Sequence, residues 1–239
     1  MQSSLERINP DQLNDAEATG KETLALHLER YHYAGRHLLS GPTGDLACGT
    51  GYGSYLLATE YAGKITALES VDLDVDSIAF AQKRYAHPLI RFHCDSILAF
   101  TPAQPLQNIV SLETMEHLPD PEGFVKHIRA HQPVGGRFIA SVPVTPSMDA
   151  NPYHLQDFTK RTFVAMMERH GYRLIDSMLQ VQPYSFFKIA GKKEARSKDL
   201  RSGLLQYYLQ HPSKFFLRIR SVLVDGFTNK YFVGVFEKL

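Results

Sequence analysis

Two stretches of this sequence carry side chains whose types and spacing could do chemistry. The first is Gly44-Asp45-Leu46-Ala47-Cys48-Gly49-Thr50-Gly51-Tyr52-Gly53, an acid followed by closely spaced glycines. Glycine admits torsions closed to other residues and lets a ligand come against the main chain, so a strand that turns into a helix here would cradle a bulky nucleoside-bearing cofactor. Acids recur at the ends of the next two apolar runs, Asp72 in Val71-Asp72-Leu73 and Asp95 in Cys94-Asp95-Ser96. A carboxylate at the first position can accept from both ribose hydroxyls, and one at the second from an exocyclic adenine amine. Glu69 competes with Asp72 for the ribose, although counting back from the helix expected at Ser77 to Tyr85 favours Asp72. Asp74 and Asp76 read as acids at a helix N-terminus, where the helix dipole favours them.

The second stretch is Glu113-Thr114-Met115-Glu116-His117-Leu118. If it opens a helix, positions i, i+3 and i+4 share a face, which then holds two carboxylates and an imidazole. His117 is the first choice for a general base, because its ordinary pKa of about 6.5 suits proton abstraction near neutrality. A plainer reading is a helix N-terminus decorated by acids, with His117 satisfying the loop. A third joins Glu113, Glu116 and His117 to His154, from Asn151-Pro152-Tyr153-His154, around a divalent cation. His154 otherwise lines the substrate pocket. His87, His127, His131 and His170 read as surface or packing residues.

The elements that must position these groups alternate. A short strand leads into the glycine turn, and Tyr55 to Ala58 supply the buried side of the helix that follows. Further strands are expected at Ile65 to Val71, Ile90 to His93, Asn108 to Leu112 and Arg137 to Val142, with helices around Pro121 to Ala130 and Lys160 to Arg169. This alternation predicts a parallel, doubly wound α/β sheet. Gly171 reads as a helix C-cap, and strands six and seven follow at Tyr172 to Val181 and Tyr231 to Phe236. The insertion from Pro183 to Asn229 is too long for a hairpin loop and has apolar groups at Leu204 to Leu209 and Phe215 to Leu223, so a helical cap is expected. One domain spans 1–239, with an N-terminal helical segment at 1–40 and the cap at 183–229.

The acidic strand with Ala-Cys-Gly-Thr-Gly, the Val-Asp-Leu and Cys-Asp-Ser turns, and Glu113 to Leu118 after the fourth strand resemble class I S-adenosylmethionine (SAM) dependent methyltransferases. The resemblance covers Asp45 to Val142. It implies SAM as methyl donor, a Rossmann-like sheet of order 3-2-1-4-5-7-6 and an antiparallel last strand. It also implies cofactor contacts from Asp45, which would hold the ammonium end, and from Ala47, Gly49, Gly51, Asp72, Leu73, Asp95, Ser96 and Glu113. Ala47 stands where the family's loop usually has its first glycine. The Glu113-x-x-Glu116-His117 pattern is similar to that of metal-assisted O-methyltransferases acting on small-RNA 3′ ends and in ubiquinone biosynthesis. Glu6-Arg7-Ile8-Asn9-Pro10 and His27 to Ala34 resemble a bacterial branch linked to glycan biosynthesis. That match puts Tyr31 over the methionine end of the cofactor; the alternative is an aromatic packed on the sheet edge.

Composition sets the bounds. A chain of 239 residues with 44% hydrophobic and 21% charged residues can bury the core of one α/β domain. The start lacks the apolar run of a secretory signal, no stretch approaches a membrane span, and Cys48 and Cys94 have no metal-ligand or disulfide spacing, so a cytoplasmic location is expected. The net charge is +1, which argues against general nucleic-acid binding, yet Lys188 to Arg220 holds nine Lys or Arg against Glu194 and Asp199, a local +7. That basic cap could receive a small anionic acceptor, such as a glycan-pathway intermediate, or lie peripherally on an acidic membrane; a solvated face is the plain alternative. As a lid its apolar residues would pack on the sheet's outer strands while Arg196, Lys198 and Arg201 reach the pocket. Two rivals to methyl transfer are a nicotinamide-dependent oxidoreductase, whose glycine pattern would need glycine at Ser54, and a catalytically silent binding scaffold.

Overall fold

The computed structural model describes residues 8–12, 18–183, 201 and 203–239. Strands β1 (Gly41–Leu46), β2 (Ile65–Asp72), β3 (Ile90–Cys94), β4 (Asn108–Leu112), β5 (Arg137–Pro143), β6 (Tyr172–Pro183) and β7 (Thr228–Lys238) pair into one sheet in the order β3-β2-β1-β4-β5-β7-β6. The first five run parallel. β7 is antiparallel to both neighbours, β5 and β6. The C-terminal ends of β1 to β5 therefore meet along one edge, the usual place for a ligand in an open α/β sheet.

Period-two alternation divides the core between the two faces of this sheet. Phe138, Ala140 and Val142 of β5 and Phe232 and Phe236 of β7 face one side, where helices α4 (Pro121–Ala130) and α5 (Lys160–Arg169) add Phe124, Ile128, Phe163 and Met167. Ile139, Val233 and Val235 face the other, against Tyr31 and Ala34 of α1 (Ala18–His37) and Leu56, Leu57 and Ala58 of α2 (Tyr52–Glu60). Phe163 stands edge-on to Phe158, Phe232 and Phe236 at centroid distances of 5.6, 6.2 and 5.7 Å. Such pairs add about 0.5–1.5 kcal/mol each beyond area burial.

Helix starts follow the capping chemistry of the sequence. Asp74 caps α3 (Val75–Arg84) by accepting from Ser77 N, Asp120 caps α4 by accepting from Gly123 N, and Thr159 and Thr162 form a reciprocal capping box on α5. α2 has no such cap, since Gly51 precedes it in a left-handed conformation. Its first N–H groups are thus left facing the sheet edge where the acids lie.

Two further helices, α6 (Leu204–Gln210) and α7 (Pro212–Asp225), occupy the insertion before β7. Their apolar residues do not pack on the outer strands, contrary to expectation: Leu205, Leu209, Phe216, Leu223 and Val224 are all exposed. The physical reason is that the polar side of the cap has its ionic partners on the body of the protein. Lys214 pairs with Asp157 and Arg218 with Asp149, which turns the opposite face to solvent. Arg196 and Lys198, like Glu6 and Arg7, lie outside the described residues. No described helix is long and apolar enough to cross a membrane.

Candidate active site

The β1–α2 turn is built from left-handed backbone. Ala47, Gly49 and Gly51 have φ of 69°, 56° and 83°. Gly51 is also fixed by space, because a Cβ there would stand 2.7 Å from Ala81 and 2.9 Å from the Phe92 ring. Around Gly49 a Cβ would meet nothing within 4 Å, so its main chain stays open to a ligand. Ala47 holds with a methyl group a conformation that glycine adopts freely, at a cost of about 1–2 kcal/mol. Its N–H and that of Cys48 both donate to Val71 O, at 2.8 and 3.0 Å, and these bonds hold it there.

The strand-end acids have distinct surroundings. Asp72 accepts from Gly49 N at 2.8 Å and from Asp74 N at 3.0 Å, so it lies against the glycine turn. Glu69 is buried and faces His93, with its carboxylate 2.5 Å from Nε2, which makes it a partner of β3 and not of the turn. Asp95 is exposed, accepts from Ser96 N at 2.7 Å, and is tied to β2 by its own N–H, which donates to Asp72 O at 3.1 Å. Leu73 between them is exposed.

Asp45 is buried beneath the turn. Ser54 Oγ donates to it at 2.6 Å, and Tyr31 OH lies 3.3 Å from each carboxylate oxygen. Burial drives its pKa up to about 7, against those two hydrogen bonds and with a further push from Asp72. Tyr31 itself is buried over Gly53, where a Cβ would come within 1.9 Å of the ring, and it meets Tyr52 edge-on. Tyr31 thus packs in the core on the α1–α2 side of the sheet and reaches the Asp45 carboxylate. The segment before α1 also borders the turn, since Thr50 Oγ donates to Ile8 O at 2.9 Å and Asp11 pairs with Arg84.

After β4 the geometry departs from the single-helix expectation. Met115–His117 form a 3-10 turn, and α4 begins only at Pro121. Glu113 has φ 52° and turns away from its neighbours. Its carboxylate accepts from Ser141 Oγ at 2.7 Å and lies 3.5 Å from Arg30. Glu116, His117 and His154 do come together, with one ligand atom from each within 4.8 Å of the others; Glu113 is outside that group. His117 Nδ1 donates to Tyr153 O at 3.2 Å, which leaves Nε2 on the side of the buried Glu116, 3.9 Å from its carboxylate. The His154 ring stands edge-on to His117 at 4.6 Å, with Nδ1 2.7 Å from Ser147 Oγ. Burial and then the neighbouring His117 push His154 down to about 3, so it is neutral at working pH.

Arg30 has no counterpart in the sequence reading. It is buried, donates from Nε to Gln180 at 2.6 Å, covers the Tyr231 ring at 4.4 Å and pairs with Glu113. It joins α1 to β6, β7 and the end of β4. Only the rarity of buried arginine marks it, and one sequence does not reveal which arginine is buried.

The sheet order and the glycine turn after β1 are those expected from the resemblance to class I SAM-dependent methyltransferases. Residues 44–136 match the family model described as a methyltransferase domain. A Mycolicibacterium smegmatis protein named for SAM-dependent methyl transfer is 29% identical over 152 residues, which is 61% of this chain and 55% of that protein. An uncharacterized methyltransferase of Mycobacterium tuberculosis is 30% identical over 112 residues, 46% of this chain and 55% of that one. The chain spans about half the length of the curated relatives it matches. Among solved structures, the N-methyltransferase NodS of Bradyrhizobium japonicum with S-adenosylhomocysteine aligns at a TM-score of 0.58 and 13% identity, covering 98% of this chain and 94% of that one. The YcgJ protein of Bacillus subtilis aligns at 0.62 and 17%, covering 91% and 98%. At such identities the likeness is one of fold.

Proposed function

We propose that this chain transfers the methyl group of SAM to an oxygen or nitrogen of a small anionic acceptor, with His117 as the general base. One observation carries the reading: Asp45, Asp72 and Asp95 end β1, β2 and β3 along the same sheet edge on which His117 and His154 follow β4 and β5. The first three suit the ammonium, ribose and adenine of one nucleoside cofactor, with Ala47, Gly49, Gly51, Leu73 and Ser96 around it. Methyl transfer from a sulfonium is an in-line displacement, so the residues align donor and acceptor and remove the acceptor's proton. His117 donates from Nδ1 to the Tyr153 carbonyl, which leaves Nε2 as the nitrogen that would take the acceptor's proton.

Ser54 counts against a nicotinamide enzyme, since the position that would need glycine supplies the hydroxyl bonded to Asp45. Mass spectrometry of ligand released from the purified chain tests the reading; SAM or S-adenosylhomocysteine supports it, and a nicotinamide or no adenosyl ligand in titrations overturns it. The anionic acceptor, of the kind found in glycan pathways, rests on the basic run from Lys188 to Arg220. Replacing Arg196, Lys198 and Arg201 with Ala should raise the acceptor's KM, make it less dependent on salt and leave SAM affinity alone.

A second reading, favoured by the cluster of Glu116, His117 and His154, adds a divalent cation. Two nitrogens and a carboxylate suit such an ion, and the Tyr153 carbonyl and the Ser147 hydroxyl hold the outer ring nitrogens as the surroundings of metal-bound histidines do. When bound, the ion would lower the pKa of an acceptor hydroxyl. Loss of turnover on chelation, restored by magnesium or manganese, supports this reading; a chelator-insensitive rate removes it.

A further inference from the structure

The two cap helices are inside out. At 100° per residue, the arc of α7 turned to the body of the protein carries Lys214, Arg218 and Ser221, whereas roughly 200° of its circumference carries Phe215, Phe216, Leu217, Ile219, Arg220, Leu223 and Val224. All seven are exposed. The inward side is secured by ions and polar groups: Lys214 to Asp157 at 2.7 Å, and Arg218 and Tyr208 to Asp149 at 2.5 Å each. α6 continues the outward surface with Leu205 and Leu209, each 77% exposed. A surface helix of a soluble domain turns its apolar stripe inward, so this inversion needs an apolar partner beyond the described residues.

We propose that the outer face of α6 and α7 seats the protein on an anionic lipid bilayer. The charge pattern selects this occupant. No Asp or Glu occurs from Arg201 to Val224, and the only charged side chain within the apolar arc is Arg220. Lys188, Lys192 and Lys193 precede the pair in the sequence. A second copy meeting this face would oppose cation to cation, whereas acidic headgroups accept the cations at the same depth at which Phe216 and Leu223 enter the acyl boundary. Aromatic and branched apolar residues with cations are what an interfacial helix presents, and the helices are too short to span. The inference is independent of which acceptor the site takes.

The chain contains no tryptophan, so Leu223→Trp creates a single fluorescent reporter on the outward face. With vesicles of phosphatidylcholine containing phosphatidylglycerol its emission should shift to the blue and be quenched by brominated lipid; with phosphatidylcholine alone the effect should be much smaller. Flotation of the otherwise native full chain should follow the same order and weaken as salt is raised. Phe216→Ser and Leu205→Ser should each reduce vesicle binding roughly tenfold with an unchanged melting temperature, because neither side chain contributes to the core. Absence of binding to acidic vesicles overturns the proposal. So does an emission already blue-shifted without lipid in a chain that light scattering shows to be dimeric, since the face is then a contact between copies.

Discussion

Asp45→Asn probes the ammonium end of the proposed cofactor site most directly. Burial lifts the Asp45 carboxyl from its ordinary value of 3.8 to about 7. A displacement of that size disfavours the charged form by about 4 kcal/mol in the ligand-free protein. A bound ammonium supplies the missing countercharge, so SAM should bind the ionised form. The sign then follows. The folded chain keeps the proton up to pH about 7, so binding should tighten about tenfold between pH 6 and pH 8 and release a proton at the lower end of that range. The same group works against folding as pH rises, because between its unfolded and folded pKa the native state holds the extra proton. Asparagine removes the buried charge and keeps its shape. Calorimetric titration should find affinity lowered by about 1.5–3 kcal/mol, ten- to a hundredfold, with a flat pH profile. The melting temperature of the ligand-free variant at pH about 8 should not fall, because the variant escapes the cost of desolvating a charge. A wild-type affinity independent of pH, or an Asn variant that binds as tightly as wild type, would refute the reasoning.

Asp72→Ala should weaken SAM binding by about 1.5–3 kcal/mol, through loss of the ribose contacts and of the bond to Gly49 N; Glu69→Gln should leave the affinity alone and lower stability through the His93 pair, and the reverse pattern in calorimetry would exchange their roles. His117→Ala should reduce turnover by about 10²–10⁴ with SAM affinity nearly intact, since a general base acts on the acceptor's proton. A variant that keeps turnover but loses cofactor affinity would move His117 to the cofactor site.

The sheet was legible because its signals are local. Apolar runs separated by capping residues mark β2 to β5 and the helices α4 and α5, and Asp120-Pro121 and Thr159 to Thr162 start those helices where their side chains require. The same local rules explain the principal departure. Pro121 has no N–H and is favoured in a first helical turn, so the helix begins there, and Glu113 to His117 fold as a left-handed residue followed by a 3-10 turn. The E-x-x-E-H spacing thus brings Glu116 and His117 together but sends Glu113 to Ser141 and Arg30. Contacts across long sequence separations leave no such trace. Arg30 with Gln180 and Glu69 with His93 depend on which strands become neighbours. The cap was legible as helical and basic, but its orientation was not, because that depends on Asp149 and Asp157, acids in a loop whose position follows from the assembled sheet.

That loop, residues 144–159, is where the chemistry and the cap meet. Asp157 accepts from the N–H groups of Ser147 and Met148 on one side and from Lys214 of the cap on the other. Ser147 in turn holds His154, and the Tyr153 carbonyl holds His117. Leu155 N donates to Glu116 O at 2.8 Å, which closes the circuit back to the turn after β4. With no helix or strand of its own, the loop is held by Phe158 in the core and by these polar contacts, each worth about 0.5–1.5 kcal/mol net and somewhat more where an ion takes part. Both imidazoles are therefore held by the same loop that Lys214 and Arg218 of the cap engage. The acids at the ends of β1, β2 and β3 sit on sheet and helix termini that do not share those bonds. The proposed cofactor acids and the proposed base thus rest on separately supported parts of the same sheet edge, the second of them tied to the cap.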